Sequence, residues 1–204
     1  VAYPAGQGTS WNAGTCCGRA AQNGVDDVGY LTAVVTALQQ EFGVDPTRTF
    51  ATGMSNGAMM AYRMACETDL FAAIAPVAGT IVSDCASPTP TSVLHIHGRN
   101  DERVRYDGEV GSGVARVHGW PVEEVVAFWR TVDHCPKPRV TSTPPVTTPT
   151  ATCPAGRMVT LLLVDEAGHQ WPGATGRGLA DPDPASTALD ATTVIWRFFD
   201  SLAQ

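Results

Sequence analysis

The chain has 204 residues, a formal net charge of −7 at pH 7, 44% hydrophobic residues and 16% charged residues. That length suits one domain around one core, residues 1–204, and that balance argues against a disordered chain. An acidic chain without a Lys/Arg run argues against nucleic acid as a partner, and no apolar stretch reaches the ~18 residues of a membrane span.

Val1-Ala2-Tyr3-Pro4 reads as a strand entered partway along its course, and no signal peptide is visible there. The N-terminal part of a longer protein is therefore expected to be absent. Asp26-Asp27 precede Val28, Leu31, Val34, Val35, Leu38 and Phe42 at helical spacing, and Gly43 stops the pattern. The acidic pair suits capping of that helix. A turn at Asp45-Pro46 leads to a short strand, Thr49 to Thr52. A sharp turn, Gly53 to Gly57, then opens a helix from Ala58 to Cys66. Strands are expected at Ala72 to Val77 and Val93 to His97, the second closed by Gly98. Pro121 suits the first turn of a helix running to about Val132. Residues 136–156 are rich in Pro and Thr and read as an extended loop or irregular hairpin. A last strand, Val159 to Val164, and a last helix, Ala188 to Leu202, complete an alternation that predicts an α/β chain with a mostly parallel sheet.

Six cysteines stand at positions 16, 17, 66, 85, 135 and 153. An even count suits disulfides and an exported protein, and without a C-x-x-C pair no metal is expected. By order, Cys66 pairs with Cys85 and Cys135 with Cys153. Cys16 and Cys17 are adjacent, and a bond between neighbours would be strained, so a reduced pair or a bond elsewhere is expected.

The chemistry centres on Gly53-Met54-Ser55-Asn56-Gly57. A G-x-S-x-G pentapeptide between a strand and a helix throws its serine up on a tight turn, where two glycines let the backbone cross closely. The Asn56 N–H, at the helix start, is the candidate oxyanion donor. The alternative is an ordinary glycine-rich loop. Serine needs a base, and five histidines compete: His95, His97, His118, His134 and His169. His169 follows the last strand, where open α/β sheets carry their sites. His95 and His97 lie on a strand and read as structural. Asp101, just beyond the strand ending at His97, is the candidate orienting acid, with Asp107 and Asp165 as rivals. The order Ser55, Asp101, His169 is the one expected for an α/β-hydrolase.

Five segments, Trp11 to Gly18, Val25 to Tyr30, Gly53 to Met60, His97 to Asp101 and Gly168 to Gly173, together resemble the extracellular polyhydroxybutyrate depolymerase and feruloyl esterase family of α/β-hydrolases. The resemblance implies secretion, no cofactor, and triad roles for Ser55, Asp101 and His169. It also implies an ester substrate: a polyhydroxyalkanoate, a feruloyl or acetyl polysaccharide, or a short-chain ester. Trp171 is a candidate aromatic face for the substrate, with packing beneath His169 as the alternative; Trp11 and Asn12 are further cleft candidates. Family members carry earlier strands and a His-Gly turn that donates the second oxyanion hydrogen bond, so this chain is expected to lack the first strands and that donor. A peptidase on the same fold and a binding module without activity are the competing expectations.

Overall fold

The computed structural model describes residues 1–174 and 186–202. Its strands are β1 (Phe50–Met54), β2 (Ala73–Val77), β3 (Ser92–Gly98), β4 (Arg139–Thr143), β5 (Val146–Thr152) and β6 (Met158–Val164). Its helices are α1 (Gly18–Gln22), α2 (Asp27–Phe42), α3 (Asn56–Glu67), α4 (Val122–Val132) and α5 (Ala191–Leu202). The strands form one sheet in the order β1-β2-β3-β6-β5-β4. Pairs β1·β2, β2·β3 and β3·β6 are parallel, whereas β6·β5 and β5·β4 are antiparallel.

Covered parallel strands need apolar side chains on both faces. β2 and β3 are buried along their whole length, and their residues divide between two cores. Ile74, Val93, Val159 and Leu161 face α3 and α4 and meet Tyr62, Val122, Val126 and Trp129. Ala73, Ala75, Val77, Leu94 and Ile96 face α5 and meet Ile195, Phe198 and Phe199. Histidines 95 and 97 share the period-two register of Val93, so they point to the α3/α4 side.

Local signals explain the helix ends. The Asp26 carboxylate accepts the Gly29 N–H at 2.9 Å, and Gly43 ends α2 in the left-handed region at φ 61°. Asp27, its neighbour, is buried and accepts the Asn12 N–H at 2.6 Å. It therefore ties the loop before α1 to α2, a long-range use that capping alone does not foresee.

Of the two readings of the Pro/Thr-rich segment the structure shows the hairpin: β4 and β5 pair antiparallel around Pro144-Pro145, and β5 extends the sheet beyond β6. Two expectations need correction. Val1 to Pro4 form no strand; they are exposed and pair with nothing among the described residues. Cys66–Cys85 and Cys135–Cys153 bond in the expected order, but Cys16 and Cys17 also bond to each other. The peptide between these neighbours is cis, and their Cα atoms lie 3.1 Å apart, closer than the ~3.8 Å of a trans pair.

Candidate active site

The turn between β1 and α3 is built around two close approaches. A Cβ on Gly53 would lie 2.6 Å from the Gly57 carbonyl carbon, so the strand end can pass the helix start only without a side chain. Gly57 itself faces open space, so the need for glycine rests on Gly53, not on both positions. A Cβ on Gly79, after β2, would lie 3.1 Å from the Ser55 carbonyl oxygen. Between them Ser55 adopts φ 55° and ψ −119°, a conformation that costs a non-glycine residue on the order of 1–3 kcal/mol. Its N–H bonds the Val77 carbonyl at 2.9 Å, so the end of β2 holds the turn.

Asp101 reaches the site from β3. Gly98 ends that strand, and a Cβ there would lie 2.6 Å from the Ala167 carbonyl carbon. The loop after β3 therefore rests directly on the loop after β6. Arg99 and Asn100 donate their N–H groups to Val164 and Ala167, each at 3.0 Å. Asp101 is buried, and its Oδ1 accepts the Arg103 N–H at 2.9 Å and the Val104 N–H at 2.8 Å. That leaves Oδ2 for His169.

His169 lies in the loop after β6 and is buried. Its Nδ1 is 2.8 Å from Asp101 Oδ2, and its Nε2 is 2.9 Å from Ser55 Oγ. The three side chains thus form one hydrogen-bonded line. With the carboxylate accepting from Nδ1–H, the neutral imidazole presents its Nε2 lone pair to the serine hydroxyl. Asp107 pairs instead with Arg105, and Asp165 with Arg99 at 2.9 Å. Neither rival faces His169. His118 is exposed, and His134 directly follows the C-cap of α4.

Asn56 is the first residue of α3, so its N–H has no partner within the helix and stands beside Ser55. The Asn56 side chain has a separate role: Oδ1 accepts the Trp11 N–H at 2.6 Å, and Nδ2 donates to the Trp11 carbonyl at 2.9 Å. The Trp11 loop is thereby clamped to the Ser55 turn. The Trp11 ring stacks on Tyr30 with centroids 6.4 Å apart. Asn12 is committed to the fold: its Nδ2 donates to the Val25 carbonyl at 2.9 Å. Trp171 donates from Nε1 to Thr192 Oγ1 at 3.1 Å and packs on the α5 core, which is the loop-packing role. Among the described residues, Asp133, Cys135 and Cys153 come close enough together to hold a metal ion, but the two sulfurs are bonded to each other.

A serine turn, an aspartate and a histidine beyond the ends of β1, β3 and β6 of a mainly parallel, helix-covered sheet are the arrangement of an α/β-hydrolase fold. An acetyl xylan esterase structure from Aspergillus awamori superposes with a TM-score of 0.54 at 18% identity, covering 78% of this chain and 66% of that one. In sequence the chain is similar to feruloyl esterases and to a further esterase-named protein. Feruloyl esterase C of Emericella nidulans is 35% identical over 99 residues, 48% of this chain and 36% of that protein. A protein of Nocardia uniformis subsp. tsuyamanensis that carries an esterase name is 34% identical over 170 residues, 73% of this chain and 49% of that protein. The chain thus spans between about a third and a half of the length of these curated relatives. The prolyl oligopeptidase family model matches residues 5–85.

Proposed function

We propose that the chain is a secreted serine hydrolase of carboxylic esters. The observation that carries this reading is the line from Ser55 Oγ through His169 to Asp101, with its two links of 2.9 and 2.8 Å. In this reading Ser55 Oγ attacks the ester carbonyl while His169 Nε2 takes its proton. The Asn56 N–H hydrogen-bonds the oxyanion, an interaction typically worth about 2.7–4 kcal/mol of transition-state stabilisation. The imidazolium, held by Asp101, returns the proton to the leaving alcohol, and water then cleaves the acyl-enzyme by the same relay. The names of the relatives favour feruloyl or acetyl esters of polysaccharides over polyhydroxyalkanoates and short-chain esters. Export is favoured by three disulfides, which persist in oxidising compartments. Hydrolysis of p-nitrophenyl acetate and of methyl ferulate by the wild type, abolished in Ser55→Ala, is the expected result. Undiminished hydrolysis in that variant would refute the reading.

One observation favours a second reading, a peptidase: the prolyl oligopeptidase family model covers the segment containing Ser55 and Asn56. Cleavage of a peptide p-nitroanilide at a rate matching that of the ester would support it.

A further inference from the structure

The line that ends at Asp101 has a counterpart on the other side of that residue, formed by three buried side chains. Tyr62 of α3 lies 2.5 Å from His95 Nδ1; His95 Nε2 lies 2.9 Å from His97 Nδ1; His97 Nε2 lies 2.8 Å from the Val104 carbonyl oxygen. Tyr62 and His95 are 0% exposed and His97 is 1% exposed, so water cannot substitute for a missing partner.

Chemistry fixes the protons along this line. A carbonyl oxygen only accepts, so His97 Nε2 carries hydrogen. In a neutral ring His97 Nδ1 then accepts, which puts hydrogen on His95 Nε2. His95 Nδ1 accepts in turn, from the Tyr62 hydroxyl. Every link has one donor and one acceptor. A cationic His97 would reverse the His95 ring and point its Nδ1–H at the Tyr62 hydroxyl, whose proton would lose its acceptor in the core. Burial lowers the pKa of His97 and, more strongly, that of His95, in keeping with two neutral rings.

The far end of the line meets the acid. Both backbone polar groups of Val104 are held: its carbonyl by His97, and its N–H by Asp101 Oδ1 at 2.8 Å. His97 Nε2 also stands 3.6 Å from Asp101 Oδ2, the oxygen that faces His169. Tyr106 of the same loop lies against the His97 ring, with centroids 6.2 Å apart.

We propose that His97 is a positioning residue: it fixes the Val104 backbone that holds Asp101, and the Tyr62–His95 line keeps it neutral so that the Asp101 charge is directed to His169. This inference rests on the esterase reading. A cationic His97 would form an ion pair with Asp101 and divide that charge between two imidazoles. The titratable groups around His97 are His95 on β3, Asp101 and Tyr106 on the following loop, and His169 on the loop after β6.

Two measurements on the full chain test it. Nitrogen-15 NMR of histidine-labelled protein reads the tautomers without reference to activity. Both rings are expected to be neutral with hydrogen on Nε2 between about pH 6 and 8, a range that spans the ordinary His pKa of about 6.5. A proton on Nδ1 of either ring, or a cationic His97, would overturn the proposal. The second measurement compares two substitutions of His97. In His97→Gln the amide N–H can reach the Val104 carbonyl; in His97→Asn the shorter side chain can meet only His95. His97→Asn is expected to lower kcat about ten- to a hundredfold with KM little changed, the range for losing a group that orients a reacting residue. His97→Gln is expected to recover most of that loss. Equal kcat in two folded variants would overturn the positioning role alone. A wild-type chain that neither hydrolyses esters nor takes a fluorophosphonate label would refute the esterase reading itself, whatever the tautomers.

Discussion

Asp101→Asn is the substitution whose outcome the geometry constrains most tightly. The asparagine amide is nearly isosteric, but one of its two heads is now a donor. Oδ1 of Asp101 receives two backbone N–H groups, from Arg103 and Val104. An NH2 group placed there would face two donors, so the amide oxygen must take that position. The NH2 then points at His169 Nδ1, where Asp101 Oδ2 now lies at 2.8 Å. It donates to Nδ1 and forces hydrogen onto Nε2, the nitrogen 2.9 Å from Ser55 Oγ. The base then has no lone pair for the serine proton. In a serine protease the same change lowers kcat by about 10⁴, equivalent to roughly 5.5 kcal/mol of transition-state stabilisation. A loss of that order is expected here in p-nitrophenyl ester hydrolysis at pH 7.5, with the thermal unfolding midpoint close to wild type. Activity within tenfold of wild type in a folded Asp101→Asn variant would refute the assignment of Asp101.

Gly98→Ala places a Cβ 2.6 Å from the Ala167 carbonyl carbon and must part the two loops that carry Asp101 and His169. Such overpacking typically costs about 1–3 kcal/mol, readable in urea unfolding, and here should lower kcat further than stability alone explains. Asp133 is buried beside Arg157 at 3.1 Å, and its pKa is pushed up to about 6, chiefly by burial. A folded value above the unfolded ~3.9 means that the folded chain holds this proton more readily; stability from this group is present below about pH 4 and is lost as pH rises through 6, by up to about 3 kcal/mol. Asp133→Asn should flatten that part of the stability–pH curve, and an unchanged slope would count against the burial argument. Replacing Cys66 and Cys85 by alanine opens a cross-link with a sequence separation of 19. Loop-closure entropy predicts a loss of about 3 kcal/mol in chemical unfolding, without loss of specific activity below the transition.

The residues of the candidate site were legible because each lies next to a strand end. Ser55, Asp101 and His169 follow β1, β3 and β6 by one, three and five positions, and apolar runs mark all three strands. For the Pro/Thr-rich segment the sequence left a loop and a hairpin both open; that β5 pairs with β6 and so extends the sheet is a long-range contact that no local pattern marks. What no local pattern conveys is partnership across the fold. The use of Asp27 by Asn12, of the Asn56 side chain by Trp11 and of His97 by Val104 each depends on two segments meeting in space. Trp171 shows the same limit: its proximity to His169 in sequence left a substrate face and loop packing both open, and only the fold brings its indole N–H to Thr192 on α5.

The sheet order explains why His169 needs a longer approach than Asp101. β6 adjoins β3, so Asp101 and His169 need only short excursions to meet. β1 lies three strand intervals from β6, about 14 Å at the usual spacing. Asp165 to His169 is five residues, with a reach of at most about 17 Å when extended. The loop therefore has little slack, and its direct course to Ser55 runs over the carboxyl end of β3. There it meets Gly98, where an added Cβ would strike Ala167 and Gly168. Gly98 thus serves His169 as much as Asp101: it lets the His169 loop cross low enough for Nδ1 to meet Asp101 while Nε2 still reaches Ser55. The line of three residues depends on a fourth position that contributes no side chain at all.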